Sequence, residues 1–220
     1  MNSLIVLAMR GMYGLKPALQ QHSRPLARQL ALLGIRANHV TIFACALSAI
    51  FCVLLMSYAD PRLFVLLPAI FLVRMVLNAL DGMLAREWRQ ASRLGIYLNE
   101  LSDVVSDTFL YLPFTQLPDF RPQWIWTVIV LSVITEMSGV IGVMAGAERR
   151  YDGPMGKSDR AFVFSIAGLL IGFGRLAPVV AVLLPIIISA LLALTLFNRV
   201  RHGLLEAATI PSGGNKHASM

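Results

Sequence analysis

The chain has 220 residues, 57% of them hydrophobic and only 14% charged, with a mean hydropathy of +0.69 and a formal net charge of +7. A soluble domain runs nearer half apolar and a quarter charged, so this composition excludes an ordinary soluble fold. The excess lies in long apolar runs near the ~20 residues that cross a bilayer, and in such a chain positive charge reads first as cytoplasmic-side charge, not as a nucleic-acid surface.

Residues 3–35 come first. Apolar residues recur on one face, with Arg10, Lys16, Gln20, Arg24 and Arg28 among them. This pattern predicts an amphipathic helix on an anionic membrane surface, broken or bent at Pro17 and Pro25. It is not a secretory signal, because Lys16, Arg24 and Arg28 interrupt it and no cleavage site follows one apolar run.

Six transmembrane helices are predicted next, at 39–59, 63–86, 94–115, 123–146, 159–175 and 177–198. The first contains Cys45 and Cys52, which read as small buried apolar residues too far apart along the axis to bridge. The fifth is short, and Pro178 suits a tight turn into the sixth. From Ile210 the sequence Pro-Ser-Gly-Gly-Asn reads as disordered. The predicted organisation is an all-α polytopic membrane protein. It has a surface segment at 1–36, a six-helix domain at 37–201 and a tail at 202–220.

Six spans place both termini on one side. Fifteen of the 19 Lys and Arg residues then fall on that side, including Arg86, Arg89, Arg93, Arg149, Arg150, Lys157 and Arg160. Only Arg62, Arg121 and Arg175 fall on the other, and Arg74 lies inside a span. The asymmetry puts both ends in the cytoplasm, and an odd span count would destroy it.

Ionisable groups inside spans are costly and default to a functional reading. Span two carries Arg74, Asn78 and Asp81, span three Asn99, Glu100, Asp103 and Asp107, and span four Glu136. The helical period puts Asn78, Asp81 and Ala85 on one stripe, and gathers the span-three set into an arc of about 100°. At ~1.5 Å rise per residue, Asp81 lies about 10 Å from the cytoplasmic end of its span, and Asn99 and Asp103 about 8 and 14 Å from theirs. The two stripes can therefore meet at one level. Clustered carboxylates need protonation or a cation, and an all-oxygen set points to Mg²⁺, Mn²⁺ or Ca²⁺. No Cys–His set favours zinc. Gly82, Ala85 and Gly95 would let a flat polar ligand approach the backbone, or serve helix packing. Arg86 can meet a phosphate or snorkel.

The stretch from Asn78 to Asp103 resembles the signature of the CDP-alcohol phosphatidyltransferase family, Asp-x2-Asp-Gly-x2-Ala-Arg-x8-Gly-x3-Asp-x3-Asp, and every spacing agrees. Asn38 with Thr41, and Gly156 with Lys157, match further family features, so the likeness runs to about residue 200. The resemblance implies an enzyme of phospholipid synthesis in the cell (inner) membrane, commonly a homodimer. In it an alcohol attacks the β-phosphorus of CDP-diacylglycerol and CMP leaves. Two divalent ions, Mg²⁺ or Mn²⁺, neutralise the pyrophosphate. Asp81 takes the second aspartate position and Asp103 the last, that of the base. Gly82, Ala85, Arg86 and Gly95 map to the nucleotide pocket.

The first and third aspartates of the signature are Asn78 and Asn99 here. The motif then brings two negative charges where two ions would bring four positive ones. Glu100 and Asp107 lie on the arc of Asp103 and can restore charge; alternatively one ion suffices, or both ions arrive with the nucleotide. The structural alternative for Asp107 and Glu136 is an ion pair with Arg74. Lys157 and Arg160 are candidates for binding an anionic acceptor, against the alternative of ordinary positive-inside charge. Two other classes stand beside the enzyme. One is a non-catalytic relative that binds CDP-lipid or metal, and the other is a transporter with Asp103 and Asp107 as a coupling site.

Overall fold

A computed structural model of the chain describes residues 23–58 and 60–209, and all regular structure among them is helical. Helix α1 covers 23–32 and α2 Ala37–Tyr58. A 3-10 helix, Pro61–Leu66, leads into α3, Leu67–Glu87. Helix α4, Arg93–Tyr111, continues as a 3-10 turn over Leu112–Gln116. Helices α5 (Pro122–Met144), α6 (Lys157–Gly172) and α7 (Pro178–Thr209) complete the order.

Each apolar segment read from the sequence carries one of α2 to α7. Four stretches are long and apolar enough to cross a membrane: Ala37–Tyr58, Pro61–Glu87, Pro122–Met144 and Pro178–Thr209. Helix α4 falls short because Arg93, Glu100, Asp103 and Asp107 share its 19 residues, and α6 because it has only 16. Residues 1–22 of the amphipathic segment, with Pro17, lie outside the described residues, as does the tail from 210. Pro25 sits in the first described turn of α1.

Two boundaries differ from expectation for visible reasons. The α-form of α4 ends at Tyr111, ahead of Pro113, which has no N–H to continue the ladder. Helix α7 runs to Thr209, beyond the predicted end at 198 and into the predicted tail. Its last stretch, Leu204–Ala208, is built of good helix formers, and Glu206 there bonds to Arg150.

The described residues divide into two compact units. The first holds α1, nearly all of α2, α3 and all but the last residue of α4. Helix α1 closes at Gly34, whose φ of 76° allows Gly34 N–H and Ile35 N–H to bond Ala31 and Leu30 carbonyls. The core of this unit joins Ala27 of α1, Ala37 and Val40 of α2, and Leu80, Met83 and Leu84 of α3. Truncating a fully buried leucine such as Leu84 to Ala costs about 2–5 kcal/mol. Along α2 the buried positions Val40, Thr41, Ala44, Ser48, Phe51 and Leu55 follow one helical stripe.

In the second unit α5 packs along α7. Phe64, Tyr111, Phe114, Phe120 and Phe164 stack there, with ring centroids 4.2 to 5.5 Å apart. Pro185 lies inside α7, and Ser189 Oγ donates to the Pro185 carbonyl at 2.7 Å.

Candidate active site

Arg74, Asn78 and Asp81 stand at intervals of four and three on α3, so they share one face. Opposite them within the first unit stand Asp103 and Asp107 of α4 and Thr41 of α2. Asn78 donates from Nδ2 to Asp103 Oδ1 at 2.9 Å. Arg74 donates from Nη1 to Asp107 Oδ1 at 2.9 Å, and its Nη2 lies 3.9 Å from Asp103 Oδ1. The Thr41 hydroxyl donates to Asp81 Oδ2 at 2.7 Å, with the Ala37 carbonyl at 3.1 Å as its other possible acceptor. Arg74, Asp81 and Asp107 are each only 4% exposed, whereas the Asp103 side chain keeps 22%. The most accessible carboxylate of the three aspartates is thus the one that occupies the last signature position. Asn99 and Glu100 lie just before it on α4, both half-buried.

The loop residues between α3 and α4 fix both neighbouring helix starts. Arg89 takes a left-handed conformation, φ 54°, and ends α3. Gln90 Oε1 accepts from Ala37 N–H at 2.8 Å and so caps α2. Ser92 Oγ accepts from Gly95 N–H at 2.9 Å and caps α4. A cleft of about 470 Å³ opens here, lined by Arg36 and Asn38 on one side and Arg89, Gln90 and Ser92 on the other. At Gly95 a Cβ would come within 2.9 Å of Asn38 Oδ1 and 3.0 Å of Ser92 Oγ, so a larger residue there would push these two side chains aside. At Gly82 it would meet the Arg86 guanidinium at 3.1 Å, because that head folds back over the bare turn. Ala85 packs on the core at the same end of α3.

The remaining candidates lie in the second unit. Lys157 opens α6 half-buried, just after Gly156, whose N–H donates to Asp159 Oδ2 at 2.9 Å. Arg160 is fully buried. Its Nη2 donates to Glu136 Oε1 at 3.1 Å, and Arg199 Nη1 lies 3.6 Å from Glu136 Oε2. Arg199 also donates to the Thr135 carbonyl at 2.6 Å. Glu136 is therefore partnered by Arg160 and Arg199, and Arg74 by Asp107. Sequence reasoning counted Arg199 only as cytoplasmic charge. Its signal was faint: an arginine on the first turn beyond an apolar run looks like every other positive-inside residue.

Among the described residues no group of three or more His, Cys, Asp and Glu side chains stands ready to hold a metal. The oxygens that remain are the carboxylates of Asp81 and Asp103 and the amide carbonyls of Asn78 and Asn99. That set suits one hard divalent ion. Half the signature's charge is gone from that set, and Arg74 brings a cation to the same face.

The family model for CDP-alcohol phosphatidyltransferase matches residues 35–197, most of the chain and all of the helices just described from α2 to the last apolar turns of α7. Inner membrane protein YnbA of Escherichia coli strain K12 is 43% identical over 199 residues, covering 90% of this chain and 99% of that protein. The signature spacing, the α3–α4 pairing it produces and these matches have one reading: the chain belongs to the CDP-alcohol phosphatidyltransferase family.

Proposed function

We propose that the protein transfers a phosphatidyl group from CDP-diacylglycerol to an alcohol, releasing CMP, in the inner membrane. The observation that carries this reading is the contact of Asn78 with Asp103 at 2.9 Å, beside the buried Asp81. It brings three signature positions to one face of a helix pair in a chain of this family. Six spans with both ends cytoplasmic would put that face at the cytoplasmic membrane surface, as the fifteen-to-three charge asymmetry favours. A homodimer is the assembly the family implies.

In the proposed reaction Asp103 accepts the proton of the acceptor hydroxyl, whose oxygen forms a new bond to the β-phosphorus. The bond from that phosphorus to the bridging oxygen breaks, and CMP leaves with the electron pair. Asn78 orients Asp103 by donating to one of its oxygens. Thr41 holds Asp81 in place. A divalent ion held by Asp81, Asp103, Asn78 and Asn99 would supply neutralisation of the pyrophosphate charge. Glu100 lies close enough in sequence to add charge to that set. Gly82, Ala85, Arg86 and Gly95 would border the nucleotide, and the Arg36–Arg89 cleft offers positive charge next to it. Lys157 is the candidate for an anionic acceptor. Arg160, buried against Glu136, would act by positioning the start of α6.

The test is CMP release by the purified protein in detergent, with CDP-diacylglycerol, Mg²⁺ or Mn²⁺ and a panel of alcohols. Release that depends on alcohol and metal and is lost in Asp103→Asn supports the reading and names the acceptor. CDP-diacylglycerol binding without release from any alcohol would favour the second reading, a non-catalytic lipid-nucleotide binder, which Asn78 and Asn99 motivate.

A further inference from the structure

Arg74 is the least expected member of the site. Its guanidinium is buried, 4% exposed, on the face of α3 that carries Asn78 and Asp81. Nη1 bonds Asp107, but Nε and Nη2 have no hydrogen-bond partner, and Nη2 lies 3.9 Å from Asp103. A purely structural pair would be expected to satisfy such donors, since each one left unmade in a buried place is costly. The unsatisfied edge of the guanidinium is turned toward the same carboxylate that Asn78 holds.

We propose that Arg74 is a resident cation of this site. It supplies beside Asp103 and Asp107 the positive charge that a second metal ion would otherwise bring, so that the chain holds one divalent ion. Charge supports this arrangement. With Asn78 and Asn99 neutral, the carboxylates of Asp81, Asp103 and Asp107 bring three negative charges to this face. One guanidinium and one divalent ion balance these three; two ions with the guanidinium would leave two positive charges in excess, or one when Glu100 of α4 is counted with them. This rests on the reading of the α3–α4 face as the metal-binding site of the proposed reaction.

The probe is Mn²⁺ alone, titrated into the full chain in detergent without substrate and counted by electron paramagnetic resonance. The parent protein should bind one ion. Arg74→Gln removes a positive charge a few ångströms from the ligands and should tighten Mn²⁺ by roughly tenfold or more. Arg74→Lys keeps the charge and should bind like the parent. Asp107→Asn leaves the guanidinium less neutralised and should weaken Mn²⁺ severalfold; it decides the matter if Arg74→Gln does not fold. Two ions on the parent, no binding by parent or variant, or no tightening in Arg74→Gln with no weakening in Asp107→Asn would overturn the proposal. Because no substrate is present, a failure to release CMP leaves this result standing, and the two ideas fail separately.

Discussion

Asn78 and Asp103, 25 residues apart, are joined by a 2.9 Å hydrogen bond from an amide nitrogen to a carboxylate oxygen. Aspartate at position 78 would turn this attraction into a repulsion between two carboxylates. Asn78→Asp is therefore expected to lose about 1–3 kcal/mol of stability in metal-free buffer. Mn²⁺ or Mg²⁺ should restore most of it. Thermal unfolding in detergent, with and without chelator, checks this; equal melting of variant and parent in chelator would contradict it.

The Thr41 hydroxyl donates to Asp81 at 2.7 Å in a buried place. Thr41→Val keeps the shape and removes the donor, at an expected cost of about 1–3 kcal/mol. Thr41→Ser keeps the donor and should cost less. The order of the three melting temperatures is the measurement.

Glu136 compensates two buried arginines, Arg160 and Arg199. Glu136→Ala takes this carboxylate from both and should destabilise by about 3–5 kcal/mol. Lys157→Ala, at a half-buried position nearby in sequence, should lower the melting temperature and leave acceptor binding unchanged if Lys157 serves only to hold the start of α6. If Lys157→Ala instead raises the apparent KM for the acceptor while melting normally, its role is in binding.

The loop between α5 and α6 is pinned to α7 by charge. Arg150 donates to Asp152 at 2.7 and 2.9 Å and also bonds Glu206, and His202 Nδ1 lies 3.2 Å from Asp152. The hydrogen bonds from Arg150, and then that from His202, hold the Asp152 carboxyl below its usual range against the opposing effect of burial. A depressed folded-state value means this stabilisation is fully present above the ordinary carboxylate range and is lost as pH falls through the folded value. Asp152→Asn should thus melt lower than the parent at neutral pH, by no more than about 1 kcal/mol because the side chains are partly solvated. The gap should close in acid. A gap independent of pH would assign the loop's anchoring to something other than this carboxylate.

Helical periodicity made much of this protein legible without coordinates. A period of 3.6 fixes which residues share a face, so the stripes through Asn78 and Asp81 and through Asp103 and Asp107 followed from spacing alone, as did the apolar segments and the family signature. Pairing between helices did not follow. Arg74 had Asp107 and Glu136 as equal candidates by depth, and only the rotation and packing of α3 against α4 gave it Asp107, leaving Glu136 to Arg160 and Arg199. The same packing turned the unsatisfied edge of Arg74 toward Asp103. Spacing along one helix is set by backbone geometry, which local sequence determines. Contacts across helices depend on how side chains fill the space between them, and that is decided only when the helices pack.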